Sequence, residues 1–136
     1  MRRVDPVAAL ALVYGAASFA HHLHNALYLG AYPGLPATLS VPTVWLAWGM
    51  TAGVGVIGYA LLRAGREAAG LIVLAAFAAL GFLGLAHYWR APFGAHTIAM
   101  NATIGAEVVT ACLLLVLVGR RLFALNTRPR TPAAHT

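Results

Sequence analysis

Four long apolar stretches alternate with short polar connections along the chain. The apolar stretches cover residues 7–29, 43–62, 68–89 and 97–123. A helix needs about 20 residues to cross the hydrocarbon core of a bilayer, and each stretch is long enough. None of them shows the two-residue alternation of an outer-membrane strand, and unpaired backbone cannot face lipid. The pattern therefore predicts four transmembrane α-helices.

The connections predict how these helices pack. The second and third helices are joined only by residues 63–67, and the third and fourth by a short segment around Pro92 and Gly94. Helices joined so closely become antiparallel neighbours. We therefore predict an all-α, antiparallel four-helix transmembrane bundle over residues 1–123. The longer first connection, with Pro33, Gly34 and Pro36, is expected to fold over one mouth of the bundle.

Composition supports an integral membrane protein whose main partner is the lipid bilayer. Of the 136 residues, 61% are hydrophobic and 9% are charged, and the mean hydropathy is +0.79. In soluble domains roughly a quarter of the residues are charged. Residues 124–136 are rich in Pro, Thr and Arg and have no apolar face, so we expect a disordered cytoplasmic tail there.

Arginine positions predict the orientation. Only Arg90 lies on one side of the predicted bundle; the others flank the opposite ends of the helices, at positions Arg2, Arg3, Arg63, Arg66, Arg120, Arg121, Arg128 and Arg130. The positive-inside rule then gives a multi-pass protein of the inner (plasma) membrane with both termini in the cytoplasm. The formal charge of +6 does not indicate nucleic-acid binding, because these arginines flank helices and form no basic surface.

The first helix has a competing interpretation as a secretory signal. Two arginines precede an apolar run, and Ser18, Phe19 and Ala20 resemble a cleavage site. The apolar residues nevertheless continue to Leu29, which makes the stretch long enough to span. We expect the helix to be retained.

Polar residues inside two of the apolar stretches mark a candidate site. His21, His22, His24 and Asn25 lie in the first stretch and Glu107 in the fourth. Such groups are costly in lipid unless they are paired or face the protein interior. At helical spacing, two polar stripes form: Tyr14, Ser18, His21, Asn25 and Tyr28 on the first helix, and His96, Met100, Thr103, Glu107 and Thr110 on the fourth.

Both stripes should face inward and meet in one pocket. At about 1.5 Å of rise per residue, His21 matches Thr103 and Glu107 in depth, and His24 and Asn101 lie nearer the surface, as does His87. The pocket is expected in the outer half of the bundle, open toward the periplasm. His22 points about 100° away from His21, toward another helix's flank or the lipid boundary.

The chemistry of this set favours a metal or haem. Neutral imidazoles and carboxylates bind several transition metals, so His21, His24, His87 and Glu107 are candidate ligands. Asn25, Asn101 and Thr103 would complete a cofactor pocket, and His21 or His24 opposite His87 would allow a bis-histidine haem. A redox role, with Glu107 and His21 as catalytic groups of a membrane-embedded oxidoreductase, is the first interpretation.

Other functions stay open. The motif for covalent haem attachment and the repeated acid-plus-histidine motif of di-iron bundles are both absent from the sequence. The polar stripes also suit a non-catalytic accessory subunit or assembly factor, within a homo-oligomer or a larger membrane complex. A third interpretation is an enzyme that binds a small apolar, quinone-like molecule, or a proton-coupled carrier, with His21 and Glu107 relaying protons.

Two groups of residues have a structural interpretation. Gly81 and Gly84, with other small residues, suit close helix packing, although they also leave room for a flat cofactor below His87. The aromatic residues near the outer boundary, most of which we interpret as an interfacial belt, are Tyr28, Tyr32, Trp45, Trp48, Tyr88 and Trp89.

Overall fold

A computed structural model describes residues 5–127 as an all-helical fold. Four helices are long and apolar enough to cross a membrane: α1 (Pro6–Leu27), α2 (Val41–Arg63), α3 (Glu67–Arg90) and α4 (Ile98–Asn126). This confirms the predicted number and approximate positions of the helices. α4 continues to Asn126, so residues 124–126 belong to it and not to the tail. The tail prediction for residues 128–136 lies outside the described residues.

Local sequence explains where the helices begin and end. Asp5 caps α1 by accepting a hydrogen bond from the Val7 amide at 3.0 Å, and Pro6 occupies the first turn, where a missing amide hydrogen does no harm. Thr97 caps α4 by accepting from the Met100 amide at 3.2 Å. α2 ends at Arg63, and Gly65, with a φ of +75°, lets the chain reverse within the three residues before α3.

α3 differs from a regular helix at the end that contains the site. It is α-helical over Glu67–Leu80, continues as a 3₁₀ helix over Gly81–Leu85 and finishes with an α-helical turn over Ala86–Arg90. A 3₁₀ stretch winds more tightly than an α-helix and changes the direction in which later side chains point. His87 follows this change directly.

The four helices form a ring in which each packs against two neighbours. α1 contacts α2 and α4, and α3 contacts the same two, whereas α1 and α3 touch little across the diagonal. Small residues let two backbones approach closely: a Cβ on Gly70 would lie 2.8 Å from the Leu62 amide nitrogen and 2.9 Å from the Gly58 carbonyl oxygen. This is the packing that the glycines predicted.

The core fills the centre of the ring with apolar side chains. Its fully buried members include Tyr14, Leu71, Leu74, Ala111, Leu114 and Val118. Many large apolar side chains instead lie on the outside, among them Leu12 at 76% exposure and Met50 at 67%. An outer surface of this kind suits contact with lipid rather than water.

An ion-pair network ties three helices together at one end of the bundle. The Arg121 guanidinium donates to Asp5 Oδ2 at 2.7 Å and to Glu67 Oε1 at 2.7 Å. Burial alone would raise the pKa of Asp5, but the hydrogen bonds from Arg121 and the Val7 amide outweigh burial and lower it. Asp5 and Glu67 are two of the three acidic residues in the sequence. Glu107 is therefore the one acidic residue outside this ion-pair network.

The first connection covers the opposite end of the bundle, as predicted. Tyr32 is buried there, with 4% of its surface exposed. Gly34 has a φ of +70°, and a Cβ at that position would lie 2.7 Å from the Arg90 carbonyl oxygen. Glycine therefore allows the connection to lie directly against the end of α3.

Candidate functional site

Glu107 is the centre of the candidate site. Only 2% of its surface is exposed. Its Oε2 lies 3.8 Å from Nδ1 of His21, and its Oε1 lies 4.0 Å from Nδ1 of His22. These distances are too long for direct hydrogen bonds but suit an ion pair with either ring once it is protonated. Two imidazoles of α1 therefore flank one carboxyl group of α4.

A neighbouring amide orients the His21 ring. Asn25, one turn further along α1, places Nδ2 at 2.8 Å from Nε2 of His21. An amide NH₂ is a donor, so Nε2 accepts and the proton of a neutral ring resides on Nδ1. That N–H faces the Glu107 carboxyl group.

A backbone carbonyl fixes the same tautomer on the His22 ring. Nδ1 of His22 lies 2.9 Å from the Ser18 carbonyl oxygen, one turn back on α1. A carbonyl only accepts, so Nδ1 must carry the proton and Nε2 keeps its lone pair. His22 therefore presents a proton-accepting nitrogen on the side away from the Ser18 carbonyl.

Further imidazole rings extend this group toward the covered end. The ring centroid of His87 lies 5.4 Å from that of His21, and the centroid of His96 lies 6.1 Å from that of His87. Nδ1 of His96 donates to the Pro92 carbonyl oxygen at 3.1 Å. His96 therefore also keeps a lone pair on Nε2.

Tyr32 connects His24 to the same group of rings. Its hydroxyl lies 2.7 Å from Nδ1 of His24, and its ring centroid lies 4.9 Å from that of His87. Burial raises the pKa of Tyr32 to about 12, so the phenol keeps its proton. Its hydroxyl and Nδ1 of His24 share one hydrogen bond, whose direction is set by the tautomer of His24. Tyr32, which belongs to the first connection, therefore contacts both His24 and His87 and links the two rings.

Several buried polar atoms of the site have no hydrogen-bond partner within residues 5–127. They are Tyr14 Oη, Ser18 Oγ, His21 Nδ1, Asn25 Oδ1, His87 Nδ1 and His96 Nε2. Leaving a buried polar group unpaired costs about 1–3 kcal/mol. So many in one place indicate a site that is completed by water, an ion or a ligand.

A cleft of about 220 Å³ lies beside the histidines, between α1, α2, α3 and the first connection. One part of its wall is apolar, formed by Leu35, Leu39, Val44, Ala47, Leu83 and Ala86. The polar part is formed by His22, Asn25, Thr43, His87 and Arg90. Drug-sized ligands occupy pockets of about 300–1,000 Å³, so this cleft suits a smaller molecule.

The structure brings most of the predicted site residues together. His21, Asn25, His87 and Glu107 lie in one group, and His24 joins it through Tyr32. Within residues 5–127, no three His, Cys, Asp or Glu side chains are placed to hold one metal ion. The metal and haem assignments therefore stay predictions.

Asn101 and Thr103 have other hydrogen-bond partners. Oδ1 of Asn101 accepts from the Tyr88 hydroxyl at 2.9 Å, and its Nδ2 donates to the Phe93 and His96 carbonyls. The Thr103 hydroxyl donates to the Met100 carbonyl of its own helix at 3.0 Å. Asn101 thus shapes the third connection, between α3 and α4, and the position of His96.

The burial of Tyr32 is the feature of the site that the sequence pattern did not predict, because Tyr32 is buried rather than part of an interfacial belt. For His22 the sequence left two positions open, and the structure places it beside Glu107 of α4 and not at the lipid boundary. His96, a member of the predicted inward stripe, joins the row of rings. Adjacent helical positions such as 21 and 22 can flank one side chain of a facing helix, and that geometry was the available signal for His22.

No protein-family model, no curated protein and no solved structure matches the chain.

Proposed function

We propose that this chain is a membrane-embedded proton-transfer protein that acts on a small apolar, quinone-like molecule bound in the cleft. One observation supports this most: His22 lines the cleft and its Nδ1 also lies 4.0 Å from the carboxyl group of Glu107. A base that touches the ligand and a buried acid that stabilises its charge are the two parts that proton transfer needs. The activity would be that of an isomerase, in which a base removes a proton from the bound molecule and the proton is returned to another of its atoms.

The orientation of His22 gives each group a role. With Nδ1–H held by the Ser18 carbonyl, Nε2 is the atom that accepts a proton from a ligand in the cleft. The imidazolium that forms is stabilised by the carboxylate of Glu107, as an acid stabilises histidine in a catalytic triad. His21, on the other side of Glu107, is the second group that can exchange a proton with this carboxyl.

The proposal is tested with a probe of the right size, tetramethylhydroquinone, added to the purified protein in detergent. Infrared difference spectra should show a change in a buried carboxyl band when the probe binds. Glu107→Gln should abolish that change, whereas Glu67→Gln, at the opposite end, should leave it intact. His22→Gln should keep probe binding but remove the carboxyl change. If the probe binds in the cleft and no carboxyl band responds, proton transfer through Glu107 is wrong.

A metal ion is a second candidate, favoured by the tautomers of two histidines. His22 and His96 both direct Nδ1–H to a backbone carbonyl, which is how metal-binding histidines are usually held. Elemental analysis of the purified protein should then find a stoichiometric transition metal that His22→Gln removes. A visible absorption spectrum tests the haem variant. The small cleft makes us rank a haem below a single ion.

We also propose that both termini face the cytoplasm and that the cleft opens toward the periplasm, in an inner-membrane protein. The distribution of arginines supports this orientation. In a Cys112→Ala background, a cysteine in place of Ala37 should react with an impermeant maleimide added to intact cells. A cysteine in place of Ala64, in the connection at the other end, should react only after the cells are opened. The reverse pattern would invert the orientation.

A further inference from the structure

Arg90 is the cation nearest to the candidate site. Its side chain is exposed and lines the cleft together with His22 and His87. Every other arginine of the sequence lies near the opposite end of the helices or in the terminal segments, and the chain has no lysine. Within residues 5–127 the Arg90 guanidinium has no ion pair, unlike Arg121, which has two carboxylate partners.

The first connection lies directly against the backbone of Arg90. Gly34 brings the first connection against the Arg90 carbonyl, which also places Leu35 over the same opening. The cleft is therefore lined by one cation, Arg90, and by apolar side chains that include Leu35, Val44 and Leu83. A charge at the edge of an apolar cleft recognises a molecule with the opposite charge at one end.

We propose that the ligand of this cleft is a compact amphipathic oxyanion: one carboxylate, phenolate or similar oxygen group attached to a small apolar body. The inference rests on the proposed function, because it names the class of molecule that the same cleft takes. The guanidinium of Arg90 holds the anionic oxygen, and the apolar body lies against the leucines and Val44. His22 lines the same cleft, so an acidic group carried on that body is the one that would exchange a proton with it.

The same chemistry occurs in two sources, a free organic acid and the headgroup of an anionic lipid. The volume of about 220 Å³ admits a single small ring with its substituents. A lipid would have to place its headgroup at Arg90 and keep its chains outside. The two sources are separated by changing the lipid around the protein.

Benzoate is the probe for the test, and benzyl alcohol is its neutral counterpart of similar size. Binding to the full-length protein in nanodiscs of zwitterionic lipid is measured by saturation-transfer NMR. Benzoate should bind, and Arg90→Gln should weaken that binding about tenfold, the effect of losing one charged hydrogen bond. Arg120→Gln removes an equally exposed arginine from the opposite end and should change nothing. Ala47→Trp fills the cleft and should abolish binding of both probes.

The possible results distinguish a failure of the oxyanion inference from a failure of the proposed function. Equal binding of benzoate and benzyl alcohol, both lost in Ala47→Trp, would overturn the oxyanion inference and leave the cleft as a binding site for a neutral molecule. Binding that Ala47→Trp does not affect would remove the cleft itself and with it the proposed function. Competition from anionic lipid that depends on Arg90 would support the oxyanion chemistry and assign its source to the membrane.

Discussion

Gly84 lies directly against the carboxyl group of Glu107. A Cβ atom at position 84 would be 3.1 Å from Oε2 of Glu107 and 3.9 Å from Cε1 of His21. One turn earlier, a Cβ on Gly81 would lie 2.7 Å from the Cβ of Ala111. The two glycines therefore have different neighbours: one faces the core, and the other faces the acid of the site.

This difference gives a first prediction. Gly84→Ala should displace the flexible Glu107 side chain and disturb the site with little loss of stability, whereas Gly81→Ala should destabilise the bundle by about 1–3 kcal/mol, because Ala111 cannot move away. Gly105→Ala is the control, because nothing lies within 4 Å of its added Cβ. Thermal unfolding in detergent measures stability, and the Glu107 carboxyl band reports the site. Equal destabilisation by both variants would contradict this assignment.

The architecture could be predicted from the sequence because lipid restricts the possible structures so strongly. Backbone groups in a bilayer must be satisfied internally, so long apolar stretches become helices, and short connections fix their neighbours. The stripe through Tyr14, Ser18, His21 and Asn25 also followed from helical spacing alone, and all four are buried. Its last predicted member, Tyr28, lies beyond the end of α1 and is 54% exposed.

Details that depend on connections and tertiary rotation could not be predicted. The burial of Tyr32 follows from how the first connection folds, and no period in the sequence encodes that path. The position of His22 depends on the rotation of α1 relative to α4, which places Glu107 between two adjacent rings. The 3₁₀ stretch Gly81–Leu85 has no signal beyond its two glycines, and it changes the direction of His87.

The hydroxyl of Tyr32 gives a second prediction. Tyr32→Phe keeps the ring against His87 but removes the hydrogen bond to His24, so the first connection should be held less firmly by about 1 kcal/mol. Hydrogen exchange of the amides in residues 29–40 should increase several-fold. Tyr28→Phe is the control, since Tyr28 is 54% exposed. Unchanged exchange in Tyr32→Phe would show that ring packing alone holds the connection.

Asn101 gives a third prediction. Its side chain joins Tyr88 to the backbone of the third connection, between α3 and α4, so Asn101→Ala removes several hydrogen bonds at once. We expect a loss of about 1–3 kcal/mol in stability and greater exposure of His96. Unfolding in detergent and modification of histidine by diethyl pyrocarbonate measure the two effects. Asn126→Ala, at the exposed end of α4, should leave both unchanged.

The network of Arg121 with Asp5 and Glu67 gives the last prediction. Arg121→Gln should lower stability by about 1 kcal/mol and no more, because all three side chains are about one-third exposed and water screens their charges. Arg120→Gln is the matched control on the same turn.

The stability that the Arg121–Asp5 ion pair contributes depends on pH with a definite sign. Because the folded pKa of Asp5 is lowered, its contribution is fully present above the ordinary value of 3.8 and is lost as the pH falls through the lower folded value. Unfolding midpoints of the two variants should therefore differ at pH 7 and converge in acid. A difference that persists in acid, once Asp5 is protonated, would mean that the Arg121 side chain stabilises the bundle by packing and not by its charge interaction with Asp5.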